Sequence, residues 1–398
     1  MNTLEKIYCR SFQSIMRMAI PVLPYREPKL LDGVDKIVDV LGEKKINRVI
    51  LVTGPNVRRL GLTAPLERTL EKNGVTCAVY DRTEANPTSK NVEDALALYR
   101  ENNCQAIIAF GGGSPMDCAK ALGARVARPR KTLKKMRGLL KVIKPIPTLI
   151  AIPTTAGTGS EVTVASVITD AKTHHKYVIN DFCLIPKYAV MSPEVTVGLS
   201  PKLTATTGMD ALTHAIEAYI GRARTKKTRA AAEEAVRLIF ENLELAFADG
   251  TNLEARRNML YASYLAGTAF TKSYVGYVHA VAHTLGGKYG VAHGLANAIL
   301  LPHVLRAYGL HAEERLSELA KRVGIAPVDA DRTVAAEALI SHIEGMNARM
   351  QIPARFDCII DSDIKEMAAL ADKEANPLYP VPVLWGADEL EDIYRMVK

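Results

Sequence analysis

A-I-I-A-F-G-G-G-S-P-M-D (residues 106–117) reads as a strand, a tight turn and the start of a helix. Its apolar opening has no polar interruption, as in a parallel strand buried on both faces. Gly111, Gly112 and Gly113 close the run, and glycine lets a backbone turn sharply and approach a ligand. Pro115 fits the first turn of a helix, where its missing N–H is not needed. The free N–H groups at such a helix start favour an anion, a phosphate among them. The spacing is not the G-x-G-x-x-G dinucleotide fingerprint. By itself the segment therefore also fits a tight turn with no ligand.

The flanking sequence repeats the pattern. Apolar, strand-like runs occupy 48–53, 75–80 and 147–153, and helix-like stretches lie near 57–73, 88–102 and 115–127. Strand and helix alternating at this rhythm predict a doubly wound, mainly parallel sheet. A second polar loop, P-T-T-A-G-T-G-S-E (153–161), follows the fourth strand. Its hydroxyls and glycines suit hydrogen bonding to phosphates or riboses, or simply a Thr-rich turn. From about 201 only helical patterns appear, near 202–220, 226–248, 252–272, 278–287, 294–307, 311–323, 330–350 and 363–374. Ser200-Pro201 makes a good first-helix start, with Ser at the N-cap and Pro at N1. The expected division is an α/β domain over 1–200, with 1–27 as an N-terminal extension, and an all-α domain over 201–398.

Composition narrows the function. The chain has 398 residues, 48% hydrophobic and 24% charged, ordinary values for a globular protein. No apolar run reaches the roughly 18 residues that span a bilayer. The first residues lack a signal-peptide layout, so a cytoplasmic location is expected. The six cysteines are scattered without a C-x-x-C pair, which argues for reduced thiols. The net charge of +8 comes from 125–144, with nine Lys or Arg and no acid. That segment has no aromatic residue to stack on a base. It reads as a solvated basic stretch near an anionic cofactor, not as a nucleic-acid or membrane patch.

A candidate metal set lies in the helical half. Asp210 and His214 in G-M-D-A-L-T-H-A-I-E (208–217) are four apart, so both lean over one helix face. His279 and His283, with the same spacing, and then His293 stand in V-H-A-V-A-H-T-L-G-G-K-Y-G-V-A-H-G (278–294). One carboxylate and three imidazoles form a good set for a divalent transition metal. Spacing alone equally allows ordinary core or surface histidines.

Together these segments resemble the iron-containing (group III) alcohol dehydrogenase family. The motifs are G-G-G-S-P-M-D-C-A-K (111–120), P-T-T-A-G-T-G-S-E-V-T (153–163), 208–217 and 279–304, and the resemblance runs from about 28 to the end. It implies a dehydroquinate synthase-like architecture: an N-terminal Rossmann-like domain for NAD or NADP, a helical metal domain, and an active site in the cleft between them. It assigns Asp210, His214, His279 and His293 as metal ligands. The pyrophosphate would rest on Gly112, Gly113 and Ser114. Asp117, Thr154, Thr155, Thr158, Lys176, Val195 and Asn86 would line the cofactor. His283 falls where the family has a histidine beside the nicotinamide, either relaying the alcohol proton or orienting a ligand. The implied activity is reversible hydride transfer between a primary alcohol or diol and NAD(P), the metal acting as Lewis acid on the alcohol oxygen. Fe2+ is expected, with Zn2+ possible on the same donors. The expected partners are a small alcohol or aldehyde and a second copy of the chain, as homodimer or higher homo-oligomer.

Departures from the family pattern carry information. Gly54 stands where the family often has an Asp that holds the ribose 2′-OH. Gly leaves room for a 2′-phosphate, and Asn56, Arg58 or Arg59 would contact it, which favours NADP over NAD. Alternatively Gly54 only shapes its turn. Rival readings are a zinc glycerol-dehydrogenase-like enzyme with three ligands, a dehydroquinate-synthase-like lyase, and a non-catalytic cofactor-binding or basic-surface interaction protein. The fourth ligand candidate, His214, favours the iron-type group over the first, the Asp-x3-His pair sets the chain apart from the second, and the presence of all four ligand candidates speaks against the third.

Overall fold

The computed structural model describes residues 1–173 and 175–398. Among these, the strands are β1 (Lys29–Asp32), β2 (Arg48–Val52), β3 (Thr76–Tyr80), β4 (Ala106–Gly111), β5 (Gly138–Leu139), β6 (Thr148–Pro153), β7 (Ala165–Thr169), β8 (Lys176–Asn180) and β9 (Tyr188–Met191). The helices of the first half are α1 (Thr3–Ala19), α2 (Lys36–Glu43), α3 (Pro55–Arg59), α4 (Ala64–Lys72), α5 (Ser89–Glu101) and α6 (Gly113–Ala127). Those of the second half are α7 (Pro201–Ile220), α8 (Lys226–Ala248), α9 (Leu253–Ser273), α10 (Tyr277–Tyr289), α11 (His293–Tyr308), α12 (Leu310–Arg322), α13 (Arg332–Arg349), α14 (Asp361–Ala375) and α15 (Ala387–Val397).

One compact unit is Pro24–Gly198. Its main sheet has the order β1-β9-β6-β4-β2-β3, and every pair in it is parallel. Both faces are packed. Ile50, Val52, Ile107 and Ala109 point into one apolar cluster, and Val49, Leu51, Ile108 and Phe110 into the other. That explains the uninterrupted apolar strands. A small sheet of β5, β8 and β7 lies beside it, with β7 and β8 antiparallel. The helix expected over 57–73 is two, α3 and α4, separated at Gly61, whose φ of 69° is left-handed.

The basic stretch is wrapped onto its own backbone. Arg125 pairs with Glu93 at 2.6 Å and donates to the carbonyls of Arg128, Pro129 and Lys131. Arg128 donates to Val142 O, and Lys131 to Lys141 O. The carboxylate of Asp181 accepts from Val142 N and Ile143 N. Guanidinium-to-carbonyl bonds satisfy a loop that has little regular structure of its own.

The other compact unit is Met1–Leu23 together with Leu199–Lys398. This corrects the placement of the extension: its first 23 residues belong by contact to the helical unit, not to the α/β domain. Arg10 and Gln13 on α1 reach the carbonyls of 377–382, a long-range docking that local sequence does not announce. The Ser200 side chain accepts from Leu203 N and caps α7, and Pro201 follows at its first turn. Helix α15 was not among the expected elements. No helix of the described residues is long and apolar enough to cross a membrane.

Candidate active site

Three helices supply the metal set. Asp210 and His214 are one turn apart on α7, His279 lies near the start of α10, and His293 opens α11. Gly290, at φ 70°, ends α10 and lets the chain reverse into α11. The close approach of α11 to α7 depends on Gly294, where a Cβ would lie 2.3 Å from Thr206 O and 3.5 Å from Asp210 Cβ.

One donor atom from each of Asp210, His214, His279 and His293 lies within 4.8 Å of all the others. The Asn297 amide nitrogen is 2.7 Å from Asp210 Oδ1 and 3.2 Å from both His279 Nε2 and His293 Nε2. Three side-chain atoms from separate helices, a carboxylate oxygen and two imidazole nitrogens, thus converge on one amide NH2. That is the arrangement a cation needs, so the residues fit a divalent metal. Burial works to raise the Asp210 carboxyl, but His293 and His214 beside it hold it well below the usual carboxylate range. Burial pushes His279 down, so its ring is neutral, the state in which imidazole binds metals.

Residues outside the expected set complete the centre. Glu217 is buried and lies 2.6 Å from His279 Nδ1. It also accepts from Gly276 N and Val278 N, each at 2.8 Å, satisfying free N–H groups at the start of α10. Burial raises the Glu217 carboxyl to about 8, with these donors opposing. A neutral His279 gives its Nδ1–H to Glu217 and turns Nε2 to the centre. Phe270 stacks on His214 with ring centroids 4.1 Å apart, and His214 on His279 at 4.4 Å, which fixes both rings.

His283 is exposed and stacks on His293 at 5.2 Å. Its Nδ1 is 2.6 Å from Glu374 Oε1, which also accepts from Tyr379 Oη at 2.8 Å. Burial works to raise the Glu374 carboxyl, but the neighbouring His283 and these hydrogen bonds win and hold it low. An ionised Glu374 accepts a hydrogen bond from His283 Nδ1–H, which leaves Nε2 as the acceptor. Next to this pair lies a cavity of about 400 Å³, lined by His283, Thr284, Lys288, Met367, Leu370 and Glu374.

The residues expected at the cofactor lie in the α/β unit. Gly112 is the N-cap of α6, and a Cβ there would meet Thr155 Oγ1 at 3.2 Å. A Cβ on Gly113 would meet Thr158 Cγ2 at 3.4 Å, so the two polar loops nearly touch at their glycines. Thr154 N donates to Gly111 O at 3.1 Å. Asn86 N donates weakly to Ser114 Oγ at 3.4 Å, and Lys176 Nζ to Asn86 Oδ1 at 2.8 Å. Val195 is packed against the sheet core. Asp117 sits a turn into α6 in a polar knot with Lys120. Lys120 is fully buried and donates to Ser160 Oγ, Thr163 O, Thr163 Oγ1 and Ala165 O. Gly54 caps α3, and a Cβ there would be 3.2 Å from Thr83 O. Beside it Arg58 pairs with Glu67, while Arg59 is exposed and bonds Asn56.

Comparison with known proteins identifies the family. The family model described as iron-containing alcohol dehydrogenase matches residues 28–193. The C-terminal model of the Fe-containing alcohol dehydrogenase family matches 204–397. A 1,3-propanediol dehydrogenase of Klebsiella pneumoniae is 38% identical over 380 residues, covering 94% of this chain and 97% of that one. The NAD-dependent methanol dehydrogenase of Bacillus methanolicus is 37% identical over 317 residues, covering 79% of this chain and 82% of that one. A crystal structure of a 1,3-propanediol oxidoreductase aligns with TM-score 0.90 at 36% identity, covering 94% of this chain and 98% of that chain.

Proposed function

The chain belongs to the iron-containing alcohol dehydrogenase family and is an oxidoreductase of that class; on that premise we propose how its own residues divide the reaction. It interconverts a primary alcohol or diol and its aldehyde, with NAD(P) as the hydride carrier. The observation that carries the reading is the convergence of Asp210, His214, His279 and His293 within 4.8 Å. A divalent metal held there, Fe2+ in the first place and Zn2+ in the second, supplies a Lewis acid for the alcohol oxygen. Asp210 contributes the negative charge of the set. Glu217 fixes the tautomer and direction of His279. His283, held at Nδ1 by Glu374, offers Nε2 to the alcohol proton.

Gly112, Gly113 and Ser114 seat the pyrophosphate at the start of α6. Thr154, Thr155, Thr158, Asn86, Lys176, Val195 and the Asp117 turn border the rest of the cofactor. Gly54, without a carboxylate, together with the exposed Arg59 and Asn56, supports NADP over NAD. The cavity beside His283, with Met367 and Leu370 in its wall, supports a small, partly apolar alcohol. A three-carbon diol is the first compound to try, given the substrate named for the Klebsiella relative. Six free cysteines fit a reducing, cytoplasmic setting. Exposed Leu4, Tyr8, Ile15 and Met18 on one side of α1 support self-association as a homodimer or larger homo-oligomer.

The test is anaerobic purification with elemental analysis, then turnover of short alcohols, diols and aldehydes with each cofactor. The reading expects one divalent metal per chain, alcohol-dependent reduction of the cofactor, and a higher kcat/KM with NADP. Metal-replete protein that turns over nothing in that panel would overturn the activity. A clear preference for NAD would overturn the role given to Gly54.

A further inference from the structure

We propose that helix α1 is a positioning element for His283, acting through the proline-rich segment 376–386. The proposal rests on the reading of His283 given above. The matched family region begins at residue 28, so α1 lies outside it. Yet α1 belongs to the compact unit that holds the metal ligands.

The segment N-P-L-Y-P-V-P-V-L-W-G between α14 and α15 has no regular structure and contains Pro377, Pro380 and Pro382. It cannot satisfy its carbonyls by a helix or a ladder, and buried carbonyls need donors. Helix α1 supplies donors to four of them, while Arg222 N holds Pro380 O, Val381 N shares Tyr379 O, and Tyr277 Oη holds Trp385 O. Arg10 Nη1 donates to Val381 O at 2.8 Å and Nη2 to Pro382 O at 3.0 Å. Gln13 Nε2 donates to Pro377 O at 3.1 Å and to Tyr379 O at 2.8 Å. Gln13 is only 6% exposed, so this is an interior anchor and not a surface contact. Its own amide oxygen accepts from Arg10 Nη1 at 2.8 Å, which locks the two side chains together.

The anchored segment carries Tyr379. The Tyr379 backbone carbonyl is held by Gln13, and its Oη donates to Glu374 Oε1, the same oxygen that faces His283 Nδ1 at 2.6 Å. The chain of contacts thus runs from α1 to the Tyr379 backbone, to its ring, to Glu374 and to the imidazole. His283 is itself exposed, so neighbouring packing does not fix its ring on that side. Its direction is set by the stack on His293 and by Glu374. Arg10, Gln13 and Tyr379 are positioning residues; none touches the imidazole.

Three variants test this: Gln13→Ala, Arg10→Ala/Gln13→Ala, and Tyr379→Phe, which deletes one oxygen inside an intact core. The direct readout is the proton on His283 Nδ1 in the zinc-loaded, 15N-histidine-labelled enzyme. A hydrogen bond this short places it far downfield, and Glu374→Ala identifies it by its loss. The expected result is a shifted or exchange-broadened signal in all three variants. The expected kinetics are kcat lower by about ten- to hundredfold, with bound metal and KM for NAD(P) unchanged. Gln13→Ala or Tyr379→Phe with an unmoved signal and wild-type kcat overturns the proposal, whatever the double variant does. If His283→Ala keeps full turnover, the catalytic reading of His283 fails. Loss of the signal in the α1 variants would still establish the brace.

Discussion

Glu217 is where one side chain does the most for the metal centre. It orients His279 and closes the first N–H groups of α10. Glu217→Gln keeps the shape but replaces one of the two oxygens that accept the N–H groups of Gly276, Val278 and His279. One of its oxygens becomes an NH2 facing N–H donors. Metal affinity should fall by about 10- to 100-fold, as for other residues that orient a metal-bound histidine. Competition with a graded series of chelators measures it, and unchanged affinity would contradict the role given to Glu217. This residue was within reach of the sequence. It lies seven after Asp210 and three after His214, so the periodicity that groups the two ligands also puts Glu217 on their face of α7. Glu374 was not. It is 91 positions from His283, and nothing local to either residue signals the pairing.

At the scale of elements, the centre depends on how closely α11 approaches α7. A Cβ on Gly294 would strike Thr206 O, a backbone atom that cannot rotate away. Gly294→Ala should therefore push the start of α11 off α7 and separate His293 from Asp210. The expected cost is about 1–3 kcal/mol of stability, the range for overpacking, together with weakened metal binding. Denaturant titration and metal analysis check both, and a variant with wild-type values for each would refute the close-packing argument.

Lys120 is a second element-level test, because it ties α6 to the loop at 160–165. Burial raises the Asp117 carboxyl, with Lys120 opposing, raises Glu161 to about 7, and lowers the Lys120 ammonium. Lys120→Met leaves the buried Thr163 and Ala165 carbonyls without their donor and removes the cation near the two carboxyls, which should cost about 1–3 kcal/mol. The sign of the pH dependence follows from proton binding. A carboxyl raised in the folded state binds a proton that the unfolded chain releases, so acid favours folding between their two pKa values. Without Lys120 both carboxyls rise further. The deficit against wild type should be larger at pH 7.5 than at pH 5.5, and urea titrations at the two values would show the reverse if the assignment is wrong. The parallel strands around this knot were legible because burial on both faces leaves them uninterrupted. The strands β1, β5 and β9 were not, since runs of two to four residues carry too little pattern, and β7 and β8 alternate buried and more open positions instead of running uninterrupted.

For the whole molecule, the ligand assignments divide between two compact units, and this makes them separable by experiment. The metal set ties together α7, α10 and α11, residues 83 positions apart at the extremes, from Asp210 to His293. A ligand that binds only the folded state stabilises it by about 2.7 kcal/mol at a hundred times its Kd. Much of that stabilisation should appear where the ligand joins separate helices. Hydrogen exchange on the intact enzyme should therefore respond in two different places. Removing the metal with a chelator should speed exchange in 208–217 and 276–297 and leave 106–127 nearly unchanged. Adding NADPH to the metal-free protein should slow exchange at the start of α6 and in 153–163. Protection of 106–127 by metal alone would mean that the metal is not held by the residues assigned to it. The position of α1 makes the same point about distance in sequence. Its anchors, Arg10 and Gln13, lie more than 360 residues from the carbonyls they hold, so only the folded chain reveals which unit it belongs to. Exchange in α1 should accordingly follow that of 376–386, and not that of the parallel sheet, when denaturant is raised below the unfolding midpoint.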